Sequence, residues 1–248
     1  MAQFDALGTI YDDFAQTPFR RYLELPSVAG ALGEVSGLCV LDLGCGTGLH
    51  SRTLARAGAA RVVGTDVSPG MLEHARVAER HHPLGVDYVE APLPDAFTGL
   101  FDLVLSVYVM PYAADRAELD ALCAQAYAAL KPGGRLVALP ANPGLSTSPG
   151  YYSPYGFSLT FEAPLADASR IVLHMGSETI SARFWTRHTL DTALAGAGFG
   201  SVRAVPHRVS PEGEEALGAD FWRPYLEQPH ALILEAERPG AVSGRPDS

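Results

Sequence analysis

An apolar run, Leu38-Cys39-Val40-Leu41-Asp42-Leu43, leads directly into Gly44-Cys45-Gly46-Thr47-Gly48, and a helical pattern from His50 to Ala57 follows at once. This strand–glycine–helix junction constrains the fold more than any other feature of the chain. Glycines at alternate positions remove the Cβ atoms, so the backbone can turn sharply and a ligand can approach it closely. In doubly wound sheets the crevice at such a junction is where ligands bind. The spacing is G-x-G-x-G, not the G-x-G-x-x-G of dinucleotide binders. Asp42 stands two residues before the first glycine, where a carboxylate repels a pyrophosphate and attracts an ammonium. A nucleoside joined to an amino acid therefore fits the junction better than a nicotinamide dinucleotide.

The pattern downstream repeats the unit. Arg61 to Thr65 reads as a second strand, and Ser68-Pro69 as an N-cap with proline at the first helical position, opening a helix to about Glu79. Val86 to Val89 and Phe101 to Val107 are further strands, the latter almost wholly apolar, as a central parallel strand should be. Arg116 to Leu130 is a helix stopped by Lys131-Pro132-Gly133-Gly134, and Arg135 to Leu139 is a fifth strand. Later come a helix from Thr189 to Ala197 and strands at 201–205 and 231–236. Strands alternating with helices predict an α/β fold: a doubly wound, mostly parallel seven-stranded sheet of Rossmann-like type. Residues 1–37 are expected to form an N-terminal helical lid, and 38–238 the main domain. Residues 140–185 interrupt the pattern; five of the chain's 19 prolines fall within 140–180, beside Tyr151, Tyr152 and Tyr155. A long irregular insertion of this kind is expected to be a substrate lid. The Pro-, Gly- and Ser-rich residues 239–248 read as a disordered tail.

Composition narrows the partners. The net charge of −10 disfavours a nucleic-acid substrate, whose phosphates an acidic surface repels. Cys39, Cys45 and Cys123 make no disulfide framework, and no His/Cys spacing suggests a metal. No apolar run reaches the length of a membrane span, and no basic-then-apolar leader is present, so a cytoplasmic protein without membrane contact is expected. Its oligomeric state is left open.

Asp66 closes the second strand, a position where an acidic residue accepts hydrogen bonds from both ribose hydroxyls; the structural alternative is a cap on the helix that follows. Four ordered segments, Asp42 to Gly48, Gly64-Thr65-Asp66-Val67-Ser68, Phe101-Asp102-Leu103-Val104 and Leu130 to Gly134, resemble the signature blocks of class I S-adenosylmethionine-dependent methyltransferases over about residues 38–140. The resemblance implies S-adenosylmethionine as cofactor and S-adenosylhomocysteine as product. It assigns Gly44, Cys45, Gly46 and Gly48, with Asp42, to the methionine part and Asp66 to the ribose. Val67 and Met71 would meet the adenine, and Ser106 and Val107 the sulfonium side. The acidic position expected after the third strand falls on Ala91, with Glu90 one residue early; either Glu90 or the Ala91 backbone would serve, since Pro92 has no N–H.

The flanks, Phe4 to Leu7, Tyr11 to Phe14, Phe184-Trp185-Thr186-Arg187, Ala197-Gly198-Phe199 and Phe221-Trp222, are similar to small-molecule methyltransferases of the toxoflavin-biosynthesis type. That likeness implies a small heterocyclic or secondary-metabolite acceptor, methylated at nitrogen or oxygen, with Tyr11 or Arg20 reaching the cofactor carboxylate. Tyr108, Tyr112, Tyr152, Tyr155 and Trp185 could form an aromatic acceptor pocket, or serve only as core and lid packing. Methyl transfer asks mainly for placement and exclusion of water. No base stands out; Tyr108 and His174 are the weak candidates, and His50 reads as a helix-surface or supporting residue. The competing reading is a cofactor-binding protein or partner subunit with this fold and no turnover.

Overall fold

The computed structural model describes residues 17–162, 164–176 and 178–240. A seven-stranded sheet forms the centre, in the order β3-β2-β1-β4-β5-β10-β9. Strands β1 (Cys39–Leu43), β2 (Arg61–Asp66), β3 (Val86–Glu90), β4 (Phe101–Val107) and β5 (Leu130–Leu139) run parallel to one another, while β10 (Ile233–Glu237) lies antiparallel to both β5 and β9 (Val202–Val205). Chain order reverses between β1 and β4, so the ends of β1, β2 and β4 open on one crevice, where doubly wound folds take ligands.

Helices cover both faces. A π-helical turn at Arg20–Glu24 runs into α1 (Leu25–Leu32). Next come α2 (Leu49–Arg56), α3 (Pro69–His81) and α4 (Arg116–Ala129), then α5 (Arg187–Ala197). The Ser68 cap foreseen in the sequence forms, its Oγ accepting from Met71 N–H at 3.2 Å, and a further cap sets Asp115 Oδ1 on Glu118 N–H at 2.9 Å. One core cluster, on the α4–α5 side, contains Leu41, Phe101, Leu119, Leu130 and Trp185; another, with Val40, Leu54, Leu103 and Val137, packs under α1 and α2.

Three expectations are corrected. Leu130 to Gly134 is not a turn outside the sheet: β5 starts at Leu130, which pairs with Phe101, and a register shift absorbs Pro132-Gly133-Gly134. The 140–185 insertion is not irregular. It carries a three-stranded antiparallel sheet, β6 (Ser158–Phe161), β7 (Arg170–Met175) and β8 (Glu178–Arg183). Two helices the sequence reading missed, α6 (Pro211–Leu217) and α7 (Ala219–Glu227), fill the stretch before β10. The tail beyond residue 240, and the segment holding Phe4, Tyr11 and Phe14, lie outside the described residues. No helix among the described residues is long and apolar enough to cross a membrane.

Candidate functional site

All three loop glycines have left-handed backbone angles, with φ of +72° at Gly44, +53° at Gly46 and +85° at Gly48. A Cβ at Gly44 would strike Val109, and one at Gly48 would strike Tyr88, so these two are also fixed by packing. Gly46 differs: among the described residues, a Cβ there would meet no atom within 4 Å. The loop is tied to β2 by Gly44 N–H and Cys45 N–H, which donate to the Thr65 carbonyl at 2.7 and 2.9 Å.

While the N-cap of α3 is Ser68, Asp66 ties two backbone segments together. Its Oδ2 accepts from Gly46 N–H at 2.8 Å and its Oδ1 from Ser68 N–H at 2.9 Å, so it joins the glycine loop to the start of α3. A carboxylate has about four acceptor sites, so each oxygen keeps a lone pair. Glu90 is exposed and stands beside Asp66 in the β2–β3 register. The Ala91 N–H donates to the Asp66 carbonyl at 2.9 Å, which removes it as a ligand donor. Val67 is 51% exposed next to Asp66, whereas Met71 is buried in the first turn of α3.

Asp42 does not open on the crevice. It is buried, and Ser51 Oγ donates to its Oδ2 at 2.6 Å. Burial pushes its carboxyl up to about 7, the Ser51 hydrogen bond opposes this, and the Asp66 charge adds to it. A pKa raised above the unfolded value means that the folded chain binds the extra proton between the two, so stability falls as pH rises from about 4 to about 7. Asp42→Asn should remove that slope. Its thermal midpoint should exceed the wild type's by a margin that widens from pH 4 to pH 8; a constant margin would show that Asp42 does not titrate in this way.

At the end of β4, Ser106 is buried and Val107 half-buried. Tyr108 then takes a φ of +58°, a conformation that non-glycine residues adopt at a cost of order 1–3 kcal/mol. Its hydroxyl donates to Glu24 Oε2. Glu24 in turn pairs with Arg20 across one helical turn at 3.1 Å, with side-chain exposures of 2% and 7%. Burial, then the Glu24 carboxylate, hold the Tyr108 phenol well above its ordinary value, so it stays protonated. His50, in the first turn of α2, is buried rather than on the helix surface. Burial, with the Arg20 charge adding to it, lowers its pKa to about 3.

Next to Tyr108 lies a cavity of about 690 Å³, its open mouth included. Arg20 and Phe19 lie on one side, Tyr112 and His230 on others, and the inner face of the inserted sheet forms a wall. Alternation puts Ile171, Leu173 and Met175 of β7 on that wall, with Leu159, Ile180 and Ala182 from its neighbours. Of the five aromatic residues expected there, Tyr108 and Tyr112 line the cavity. The other three are elsewhere. Tyr152 donates to the Gln228 carbonyl at 2.9 Å and Tyr155 to the Phe221 carbonyl at 2.8 Å, anchoring the base of the inserted segment on α7 and the residue after it. Trp185 is buried in the main core, with its indole N–H on the Met110 carbonyl at 3.2 Å. His174 occupies the β7 face opposite the wall residues and bonds Thr160 at 2.8 Å, so it has no part in the cavity. Glu24 and His230 escaped the sequence reading, because nothing local marks residues that meet only through tertiary packing. The alternating apolar positions of β7 and β8 were a usable signal that the prolines upstream obscured.

A family described as a methyltransferase domain matches residues 40–134. Residues 40–134 thus match a methyltransferase domain, and the sheet around them has the class I fold. Over this domain the chain is 41% identical along 96 residues to malonyl-acyl-carrier protein O-methyltransferase of Serratia marcescens, covering 38% of this chain and 35% of that protein. It is 35% identical along 106 residues to ubiquinone biosynthesis O-methyltransferase of Xanthomonas oryzae pv. oryzae, covering 42% and 43%. The chain thus spans under half the length of these curated relatives. An S-adenosylmethionine-dependent methyltransferase from Mesorhizobium loti superposes with a TM-score of 0.61 at 24% identity, over 91% of this chain and all of the other. The cyclase SpnF superposes equally well, with a TM-score of 0.61 at 18% identity over 97% and 95%. These likenesses show the fold alone, and the family match ends at residue 134, ahead of the inserted sheet.

Proposed function

We propose that this chain binds S-adenosylmethionine across the ends of β1, β2 and β4 and transfers its methyl group to a small molecule held in the cavity under β6–β8. The observation that carries this reading is a contiguity. The glycine loop, open at Gly46 and tied to Asp66, adjoins through Val109 and Tyr108 an apolar cavity walled by a dedicated sheet. The residues fit such a cofactor. Lone pairs on Asp66, with Glu90 beside it, suit ribose hydroxyls. The exposed Val67 suits one face of an adenine. The Arg20 charge is felt at His50, two residues past Gly48, which puts a cation within reach of an amino-acid carboxylate.

When bound, the sulfonium supplies a methyl group already activated for displacement. The chain's part is to hold the acceptor in line and keep water out. An apolar wall suits both tasks, and the small, largely apolar acceptor it favours agrees with the name of one of the two relatives, a ubiquinone biosynthesis O-methyltransferase. Nitrogen or oxygen of a heterocyclic or secondary metabolite is the acceptor class proposed. The acidic surface supports a small molecule over a nucleic acid.

The test is calorimetric titration with S-adenosylhomocysteine, followed by a search for its formation from S-adenosylmethionine with apolar acceptors. Asp66→Ala should weaken binding by roughly one to two powers of ten, since hydrogen bonds to a charged acceptor are each worth about 1.5–3 kcal/mol. Unchanged affinity in a folded Asp66→Ala chain would remove Asp66 from the site. Cofactor binding without turnover on any acceptor would favour a sensor or partner subunit.

A further inference from the structure

His230 lines the cavity, and its ring centroid lies 5.6 Å from that of Tyr108 and 4.7 Å from that of Phe157. It is held from behind: Nδ1 and Tyr225 Oη are 2.7 Å apart. Tyr225 is wholly buried, so its hydroxyl hydrogen needs an acceptor. His230 Nδ1 is that acceptor, which leaves the proton of the neutral ring on Nε2. Burial, with the charges of His207 and Arg20 adding to it, lowers the His230 pKa to about 3, so the ring is neutral throughout the physiological range. The other polar side chains on the wall are Arg20, Tyr112 and Tyr108, whose hydroxyl hydrogen is given to Glu24. His230 therefore presents one fixed hydrogen to a cavity whose walls are mostly apolar.

We infer that His230 Nε2–H is a fixed donor that orients the acceptor, and that the acceptor is an apolar molecule with an oxygen lone pair, such as a carbonyl, at this end and no ammonium group. This rests on the cavity being the acceptor site. A carbonyl oxygen accepts from Nε2–H, whereas an ammonium set against that N–H would meet a second donor.

Two probes of matched shape, 2-acetylnaphthalene and 2-naphthylmethylamine, separate the cases. Each is titrated into the intact chain with and without S-adenosylhomocysteine, at neutral pH, where the amine is charged. The ketone should bind at least tenfold more tightly than the amine. His230→Phe should weaken ketone binding by about tenfold, the scale of one lost hydrogen bond in a buried site. His230→Gln, whose amide N–H₂ reaches the region of Nε2, should restore much of it, which a merely structural role for the ring would not produce. Thermal unfolding and the S-adenosylhomocysteine titration show that each variant is folded. If His230→Phe does not fold, the comparison of the two probes on the wild type and on His230→Gln decides. Equal or tighter binding of the amine, or ketone affinity unchanged in folded His230→Phe, overturns the inference. Failure of S-adenosylhomocysteine to bind, with the ketone preference intact, overturns the cofactor reading and leaves the donor role standing.

Discussion

Valine at position 46 is expected to abolish S-adenosylhomocysteine binding while leaving a folded chain. The two neighbouring loop glycines are poor tests, because a Cβ at Gly44 or Gly48 strikes Val109 or Tyr88 and would disturb the fold as well as the site. Among the described residues no atom lies within 4 Å of a Cβ at Gly46, so the added side chain would clash with none of them and would fill space that a ligand at the loop needs. Its φ of +53° costs an L-residue about 1–2 kcal/mol, more for a β-branched one. At roughly 2–4 °C per kcal/mol for a chain of this size, the thermal midpoint should drop by several degrees and no further. Calorimetry on Gly46→Val should give no measurable heat, and Gly46→Ala should lie between it and wild type. Normal binding by folded Gly46→Val would place the ligand away from the loop.

Glu24→Ala should have the largest effect on stability, a loss on the order of 3–5 kcal/mol, because it leaves the Arg20 guanidinium buried without its counter-charge. It also strips Tyr108 of its acceptor, at a residue already held in a left-handed conformation. Replacing the pair together, with Arg20→Met and Glu24→Leu, should recover much of the loss, since no uncompensated charge remains. Urea unfolding of the three proteins measures this. A cost below about 1 kcal/mol for Glu24→Ala would show that water reaches the pair and screens it.

The chemistry that sequence reveals here is the chemistry built by neighbours in the chain. Val40 to Gly48 and Gly64 to Ser68 each combine strand, turn and helix start within a few residues, so their fold and their ligand class are both legible. The direction of a side chain is not. Asp42 reads as a ligand for an ammonium, yet the pleat turns it inward onto Ser51 while Asp66 faces the loop. Tyr152 and Tyr155 read as pocket aromatics, but each hydroxyl is occupied by backbone of the 221–228 stretch. Helices α6 and α7 were hidden because Gly213 and Pro224 lie inside them and each is too short for its periodicity to stand out. His230 faces the cavity through contacts with Tyr225, Phe157 and Tyr108, which no local pattern records.

The sheet that walls the cavity has a consequence for how such a protein can change. Its strands pair with one another and with no strand of the central sheet. The chain leaves the central sheet at Leu139 and re-enters the helical layer at Arg187. An exchange such as Leu173→Phe or Ile180→Val would therefore reshape the space offered to an acceptor while the β1–β2–β4 registers stayed as they are. The base of the inserted segment can remain constant too, because Tyr151, Tyr152 and Tyr155 grip carbonyls and not side chains. Likeness in sequence extends from residue 40 to residue 134, and the wall begins after it. If the cavity takes the acceptor as proposed, a lineage with this layout can trade one acceptor for another by substitutions in a single inserted segment, with no need to rebuild the crevice at the glycine loop.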